Sequence, residues 1–347
     1  MTVILFIAVL FVTVLVHEWG HYIAAKKSGM MVEEFGFGIP PKLWSWKKGE
    51  TEYSINALPI GGFVKIAGEN GAESGVAPER QFDSKPWYKK TIVLVAGVVC
   101  NFVLAVVLFS VGYLIGLPGV VPDGKPTVVS IAAGSPISQS AIAVGDTIRE
   151  IRVGSAQAKT LDTEHIRELL STTTGDISIA YTTKQGEESA ATITPTTDRH
   201  IGVAIEPIGT IKQPLDKAVT LAWHQSVDLV VTIFRTIGGL IVGLIQGNGS
   251  AAGLIGPVGL AKEVGSAATI GFAYLLAFVA TISINLAVLN ILPFPALDGG
   301  RLIVVWAEAI TKRRFSPKVV GIIHAAGFLV LIGLMIVLTI GDIRKAV

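Results

Sequence analysis

The sequence predicts a polytopic α-helical membrane protein of about four transmembrane helices, with a small α+β domain inserted between them. Hydrophobic residues make up 51% of the 347 residues and charged residues 16%, which is too apolar for a typical soluble protein of this length. Aromatic residues contribute only 7%, so the excess consists of aliphatic and small residues, as in membrane helices. The apolar residues are concentrated in long runs, and one region between these runs has a β-type composition instead.

Four apolar runs are long enough to cross a hydrocarbon core of about 30 Å as helices that rise about 1.5 Å per residue. They cover about Val3–Ala25, Ile92–Gly116, Ile270–Leu292 and Val319–Ile340. The stretch Leu215–Ile245 is ambiguous, because charged residues interrupt its first half. We expect one or two amphipathic helices on the membrane surface there, and a fifth span is the less favoured alternative.

Basic residues predict the orientation of these helices. The loop after the first run holds Lys26, Lys27, Lys42, Lys47, Lys48, Lys85, Lys89 and Lys90, and the loop before the last run holds Arg301, Lys312, Arg313, Arg314 and Lys318. The positive-inside rule makes both loops cytoplasmic, which leaves the two termini and the long middle region outside.

The region from about Val121 to Pro207 predicts the inserted domain, because short Val/Ile/Thr-rich segments alternate there with Gly, Ser and Asp turns. We expect strands at Thr127–Ala132, Thr147–Val153, Ile177–Thr183 and Ala190–Thr194, and a capped helix at Thr163–Ser171. Gly134-Ser135-Pro136, followed by a Gly145-Asp146 turn into a strand, resembles the corresponding part of a PDZ domain. A single PDZ-like domain is therefore expected outside the membrane.

The first apolar run contains a polar motif, His-Glu-Trp-Gly-His, at residues 17–21. A charged residue near the centre of a membrane helix raises the free energy of insertion by about 2.5–3.5 kcal/mol, so a polar motif at this position indicates a function. His17 and His21 lie four apart and face the same side of a helix, where they can ligate one metal ion, and Glu18 lies beside that face. The alternative is a chance pattern in an ordinary helix, which the apolar context disfavours.

Asp298 is the best candidate for a third ligand, since catalytic zinc sites usually have three protein ligands and an open position. It follows the third apolar run, on the predicted cytoplasmic side, in the segment from Asn290 to Gly300. Pro293 and Pro295 break the helix there, which is tolerated at membrane depth only where the backbone lines a cavity or packs in protein. The alternative is a helix-ending turn with Asp298 as a solvated cap. The sequence thus predicts a Zn²⁺ cofactor.

These two segments together resemble the site-2 proteases, the M50 intramembrane zinc metalloproteases, and the outer domain places the chain closest to the bacterial RseP/RasP-like regulators. Phe35-Gly36-Phe37-Gly38 resembles the membrane-entering β-loop of that family, and residues 59–65 resemble its Gly-Gly-Tyr-Val-Lys element, with Phe63 in the aromatic position. Ala96-Gly97…Asn101 matches the second-helix motif, except that Val98 replaces a common proline.

The resemblance implies peptide hydrolysis within the transmembrane helix of a substrate. His17, His21 and Asp298 would hold zinc, and Glu18 would act as general base and then acid. Asn290 would hydrogen-bond the unwound substrate backbone. The alternating stretch Tyr53–Ala67 can present an edge strand to that backbone, with a plain cytoplasmic hairpin as the alternative. The substrate-binding residues expected there are Gly61, Gly62, Phe63, Val64 and Lys65.

The resemblance also implies a location and partners. We expect a monomer in the bacterial plasma (inner) membrane, with the active site towards the cytoplasm and single-pass membrane proteins, such as anti-sigma factors or remnant signal peptides, as substrates. The expected parts are residues 1–116 with the first two helices, 117–210 with the PDZ-like domain, 211–268 on the membrane surface, and 269–347 with the last two helices. The lipid bilayer is a further partner.

Other functions are less favoured. A net charge of +2 indicates no nucleic-acid partner, and a lone cysteine, Cys100, excludes disulfides within the chain and cysteine-based zinc sites. A PDZ-type membrane scaffold with a degenerate metal site would not need Glu18. A metal transporter would need a series of polar residues along a path, which is missing. The remaining histidines are expected to pack or to lie at the surface: His165, His200, His224 and His324.

Overall fold

The computed structural model describes residues 2–69, 71, 74–132, 134–154, 156–157, 175–195, 201–247 and 255–346. The chain forms two compact units. The first comprises residues 1–112 and 214–347, and the second comprises residues 113–213. The helix predicted at Thr163–Ser171 lies outside the described residues, as do His165 and His200.

The long helices are α1 (Thr2–Lys27), α2 (Trp87–Ile115), α3 (Leu215–Ile245), α4 (Pro257–Ile270), α5 (Phe272–Ile291), α6 (Asp298–Thr311) and α7 (Pro317–Ala346). Within the described part of the chain, five of them are long and apolar enough to cross a membrane, namely α1, α2, α3, α5 and α7. Four of these five coincide with the predicted spans, so the apolar runs form the expected helices.

Helix α3 is the fifth, and it is a single uninterrupted helix of 31 residues. One face of its first half is buried at Ala218, Ala222 and Ser226. Next to this face, Trp223 packs edge to face on Phe102 of α2, with ring centroids 5.2 Å apart. Large apolar residues in its second half are exposed. Its predicted placement on the membrane surface stays a prediction.

Two glycines let α1 and α2 cross in backbone contact beside the polar motif. A Cβ on Gly20 would lie 2.5 Å from the carbonyl oxygen of Ala96, and one on Gly97 would lie 2.5 Å from Nε2 of His21. Small residues at such a crossing allow the close approach typical of membrane helices. Because residue 97 of α2 is a glycine, the imidazole of His21 can lie directly against the α2 backbone.

Strands β1 (Val32–Lys48) and β2 (Thr51–Ile66) form a long, irregular hairpin that folds over on itself. Phe35 pairs with Val64 on one side and with Tyr53 on the other, and the residues next to it likewise have a partner on each side. The sheet therefore has four segments, in the order 42–48, 51–56, 32–39, 62–66. Segment 62–66 is an edge of this sheet, and no described strand pairs with its other side.

The second unit contains an antiparallel sheet of β3 (Leu117–Ile131), β4 (Thr147–Val153), β5 (Ala156–Gln157), β6 (Ile177–Thr182), β7 (Glu188–Ile193) and β8 (Val203–Ile211). Its order is β7-β6-β4-β3-β8, and β5 pairs with β4. The four predicted strands correspond to β4, β6, β7 and the end of β3. The start of β3 and all of β8 were missed, because their prolines and glycines interrupt the alternation on which the prediction rests.

The turn before β4 shows why Gly145-Asp146 is a useful signal. Gly145 has φ +94°, a conformation that favours glycine. The buried Asp146 carboxylate accepts hydrogen bonds from the backbone N–H groups of Ala143, at 2.8 Å, and Lys184, at 3.2 Å. The side chain thereby ties the turn to the end of β6 and fixes the start of β4.

Candidate metal centre

Three side chains converge on one point where α1 meets the start of α6. The His17 Nε2 atom lies 3.0 Å from Oδ2 of Asp298, and the His21 Nε2 atom lies 3.2 Å from that same oxygen. The two Nε2 atoms are 3.2 Å apart. Ligand atoms bound tetrahedrally to zinc at about 2.0–2.1 Å are about 3.3 Å from one another. The two imidazoles and one carboxylate therefore fit a single zinc ion in both donor type and spacing.

Contacts behind the ligands orient them for this purpose. Nδ1 of His21 donates to the carbonyl oxygen of Val93 at 2.8 Å, so its Nε2 keeps a lone pair for a metal. Nδ1 of His17 faces the Asn101 amide at 3.4 Å, and Oδ1 of Asn101 is buried without a partner. If the amide of Asn101 is rotated by about 180°, its Oδ1 atom accepts a hydrogen bond from the His17 Nδ1–H and is no longer without a partner. Both imidazoles are then held with Nε2 towards the metal position.

The third ligand comes from a tightly folded turn. Helix α5 ends at Ile291, and the chain turns back at once so that Asp298 begins α6. A Cβ on Gly299 would lie 2.1 Å from the carbonyl oxygen of Leu292, and one on Gly300 would lie 2.3 Å from that of Phe294. Only glycines allow the first turn of α6 to lie this close to the preceding chain, and this approach directs Asp298 towards α1.

The ionisation of Asp298 suits a metal ligand. Without a metal, burial would raise the pKa of its carboxyl group, but the hydrogen bonds and charges that His17 and His21 supply when their Nε2 atoms carry protons outweigh that effect and hold the pKa well below its usual range; a zinc ion would replace those protons. The carboxylate is therefore charged at neutral pH, which is the form that binds a cation.

All ten residues predicted for the site line one cleft of about 480 Å³. They are His17, Glu18, His21, Gly61, Gly62, Phe63, Val64, Lys65, Asn290 and Asp298. Among the described residues, the Glu18 carboxylate has no hydrogen-bond partner, and a Cβ on Gly62 would lie 3.0 Å from its Cγ. Nδ2 of Asn290 lies 3.4 Å from Nε2 of His17. The edge segment 62–66 thus lies directly beside the polar motif.

Sequence reasoning missed other polar residues around the cleft. Arg301, which was counted only as a basic loop residue, forms an ion pair with Glu69, and both line the cleft. Burial raises the pKa of Glu69, and Arg301 opposes this shift. Asn101 was noticed only as part of a motif, although a polar residue inside an apolar run is a signal in itself.

His324 was expected to be a packing or surface residue. In the structure its Nδ1 atom accepts a hydrogen bond of 2.9 Å from the backbone N–H of Ala296, two residues before Asp298.

Comparison with known proteins gives consistent results. The model of Peptidase family M50 matches residues 5–334. A Clostridium acetobutylicum protein that bears the name zinc metalloprotease is 35% identical over 334 residues, which cover 96% of this chain and 94% of the relative. Zinc metalloprotease RasP of Geobacillus kaustophilus is 30% identical over 426 positions, covering 99% of this chain and 98% of the relative. RasP of Oceanobacillus iheyensis is 28% identical, with 99% of each chain covered.

Proposed function

Because this chain belongs to peptidase family M50 and is a membrane zinc metalloprotease, we propose that it cleaves peptide bonds within the transmembrane segments of single-pass membrane proteins. One observation carries this proposal. His17, Glu18 and His21 lie on the long apolar helix α1, Asp298 follows the apolar helix α5, and the four side chains line one cleft with the edge segment 62–66 of a sheet. A protease that acted only on soluble peptides would not need a site in such surroundings.

In this proposal, His17, His21 and Asp298 hold the zinc ion. When bound, zinc supplies a Lewis acid that polarises a carbonyl group and lowers the pKa of water. Glu18 takes a proton from the attacking water and delivers it to the leaving amine, since its carboxylate lines the same cleft and is not engaged by another side chain. The neighbouring carboxylate of Asp298 would bind the zinc ion and is therefore not free for this task.

Segment 62–66 would bind the substrate. A transmembrane helix hides its carbonyl groups in its own hydrogen bonds, so cleavage requires an extended stretch. Addition of such a stretch to a sheet edge satisfies its backbone groups where water is absent. Gly61, with φ +87°, and Gly62 leave the backbone of this edge accessible from the cleft. The Asn290 amide would hydrogen-bond the same extended stretch.

The orientation follows the basic residues. We place the end of α1 at Lys27, the start of α2 at Trp87 and the loop at 312–316 on the cytoplasmic side, and the second unit outside a bacterial plasma membrane. The antiparallel sheet and the Gly145-Asp146 turn support a PDZ-like domain at 117–210. The RasP alignments span 426 positions against 347 residues here, so those relatives carry segments that this chain lacks. This difference agrees with one PDZ-like domain in this chain.

The decisive assay uses purified protein in lipid vesicles with a single-span substrate whose soluble flanks carry distinct tags. We expect cleavage products whose masses place the cut inside the span, and no such products with the Glu18→Gln protein. Cuts that fall only in the soluble flanks, or equal cleavage by both proteins, would contradict the proposal.

A second assay concerns the outer unit. We expect this unit to restrict substrates by the size of their external domain, so deletion of residues 121–207 with a short linker should admit a full-length substrate while a pre-trimmed substrate is cut as before. Continued rejection of the full-length substrate by an enzyme that still cuts the trimmed one would show that the unit does not act as a filter.

A further inference from the structure

The turn between α5 and α6 has few backbone groups with which to hold its shape. Pro293 and Pro295 have no N–H, so residues 293–297, all of them described, carry three backbone donors. Two of these donate to nearby main-chain carbonyl groups: Phe294 to that of Leu292 at 2.7 Å and Leu297 to that of Phe294 at 3.2 Å. The third donor has to find its partner elsewhere.

That third donor is Ala296, and its partner is a side chain on another helix. The Ala296 N–H donates to Nδ1 of His324, on α7, at 2.9 Å. Ala296 has φ +79°, in the left-handed region that a residue with a Cβ rarely adopts. Such a conformation costs about 1–3 kcal/mol and persists only where the surroundings hold it. The hydrogen bond that Ala296 donates to His324 is a contact of this kind.

Helix α7 touches the turn at a second point on the same face. Gly327 lies three residues after His324, and a Cβ there would be 2.5 Å from both Cβ and the carbonyl oxygen of Pro295. The side chains just before, Ile322 and Ile323, are exposed by 60% and 51%. The contact between α7 and the turn is therefore local and close, and it is made through His324 and Gly327.

We propose that His324 is a positioning residue of the metal centre. It holds Ala296 in its unfavourable conformation and thereby fixes the direction in which the chain enters α6 and presents Asp298. Since Nδ1 accepts the hydrogen bond, the imidazole is neutral with its proton on Nε2. The imidazole lines a second cavity of about 470 Å³, whose lining includes none of the three proposed ligands, so it acts through the backbone and not as a ligand.

The inference rests on the proposed zinc site, and its test compares variants of nearly equal size. His324→Asn keeps an acceptor close to the position of Nδ1. His324→Leu fills a similar volume without an acceptor. Ile323→Ala, on the exposed face of the same helix, is the matched control. Zinc affinity is measured by competition with a chelator, together with thermal unfolding.

We expect His324→Leu to weaken zinc binding by about tenfold, as the loss of outer contacts to metal ligands does elsewhere. His324→Asn should stay within about threefold of wild type, and Ile323→Ala should match it. Adding Ala296→Gly should reduce the effect of His324→Leu, because glycine adopts a positive φ without strain. The proposal would be overturned if the His324→Leu protein bound zinc with wild-type affinity, or if the His324→Asn and His324→Leu proteins lost zinc affinity equally.

A measurement on metal-free wild-type protein needs no variant. Hydrogen exchange at residues 293–297 should stay slow after zinc is removed, because His324 and not the metal holds the turn. Fast exchange there in metal-free protein would overturn the inference even if His324→Leu failed to fold. The zinc assignment is tested separately. If the Asp298→Ala protein retained its full zinc content, the proposed zinc site would be refuted, independently of the results for His324.

Discussion

The two halves of the metal centre are built in opposite ways. The half on α1 is an uninterrupted helix, in which the spacing of His17 and His21 alone puts both imidazoles on one face. The half that supplies Asp298 is an irregular turn that needs prolines, close-packed glycines and a positive φ at Ala296. A ligand pair on a regular helix can therefore be placed by local sequence, whereas a ligand on a strained turn depends on distant side chains for its position.

Glu18→Gln should have the largest effect on activity and none on either half of the ligand set. We expect cleavage to fall by about 10²–10⁴-fold, because proton transfer is removed, while zinc content stays at the wild-type level. Glu187→Gln, at an exposed position of the second unit, is the control. Cleavage within tenfold of wild type would remove Glu18 from the role of base.

Asp298→Ala and Asn290→Ala should separate the ligand turn from the substrate cleft. Loss of the carboxylate leaves two ligands, so zinc content should drop along with activity. The Asn290 variant should keep zinc and raise KM or lower kcat for the membrane substrate. Metal analysis beside steady-state kinetics distinguishes the two, and full zinc retention in Asp298→Ala would require another ligand.

Gly299→Ala and Gly97→Ala compare the two halves directly. The new methyl at position 299 meets fixed backbone carbonyl groups at 2.1–2.3 Å, so the whole turn must move, and we expect most zinc to be lost. At position 97 the methyl meets the imidazole rings, 2.5 Å from Nε2 of His21, and these rings can shift at a smaller loss of affinity. Zinc titration of both proteins measures the two losses of zinc affinity. A greater loss of zinc affinity in Gly97→Ala than in Gly299→Ala would contradict the prediction.

Gly238→Ala in α3 is the counterpart in which nothing obstructs the new methyl group. No atom lies within 4 Å of the added Cβ, so zinc binding should be unchanged. The helix should gain up to about 1 kcal/mol from the better helix propensity of alanine. Thermal unfolding measures this, and a destabilised protein would show that α3 packs more closely than the structure indicates.

The same contrast explains what could be predicted from the sequence. Helical spans, the motif at 17–21 and Asp298 follow from hydrophobic runs, helical spacing and the ligand number of zinc. The role of His324 could not be predicted, because it depends on which carbonyl groups and N–H groups a turn leaves unpaired after folding. The Glu69–Arg301 pair and the repeated register of the hairpin likewise join residues whose proximity no local pattern encodes.

The most direct test of the account is the zinc K-edge X-ray absorption spectrum of purified Glu18→Gln protein. A site made by His17, His21 and Asp298 predicts nitrogen and oxygen ligands at about 2.0–2.1 Å, with the outer-shell scattering of two imidazoles and no sulfur. A sulfur shell at about 2.3 Å, which only Cys100 or a methionine could supply, or a spectrum without imidazole scattering, would contradict the account.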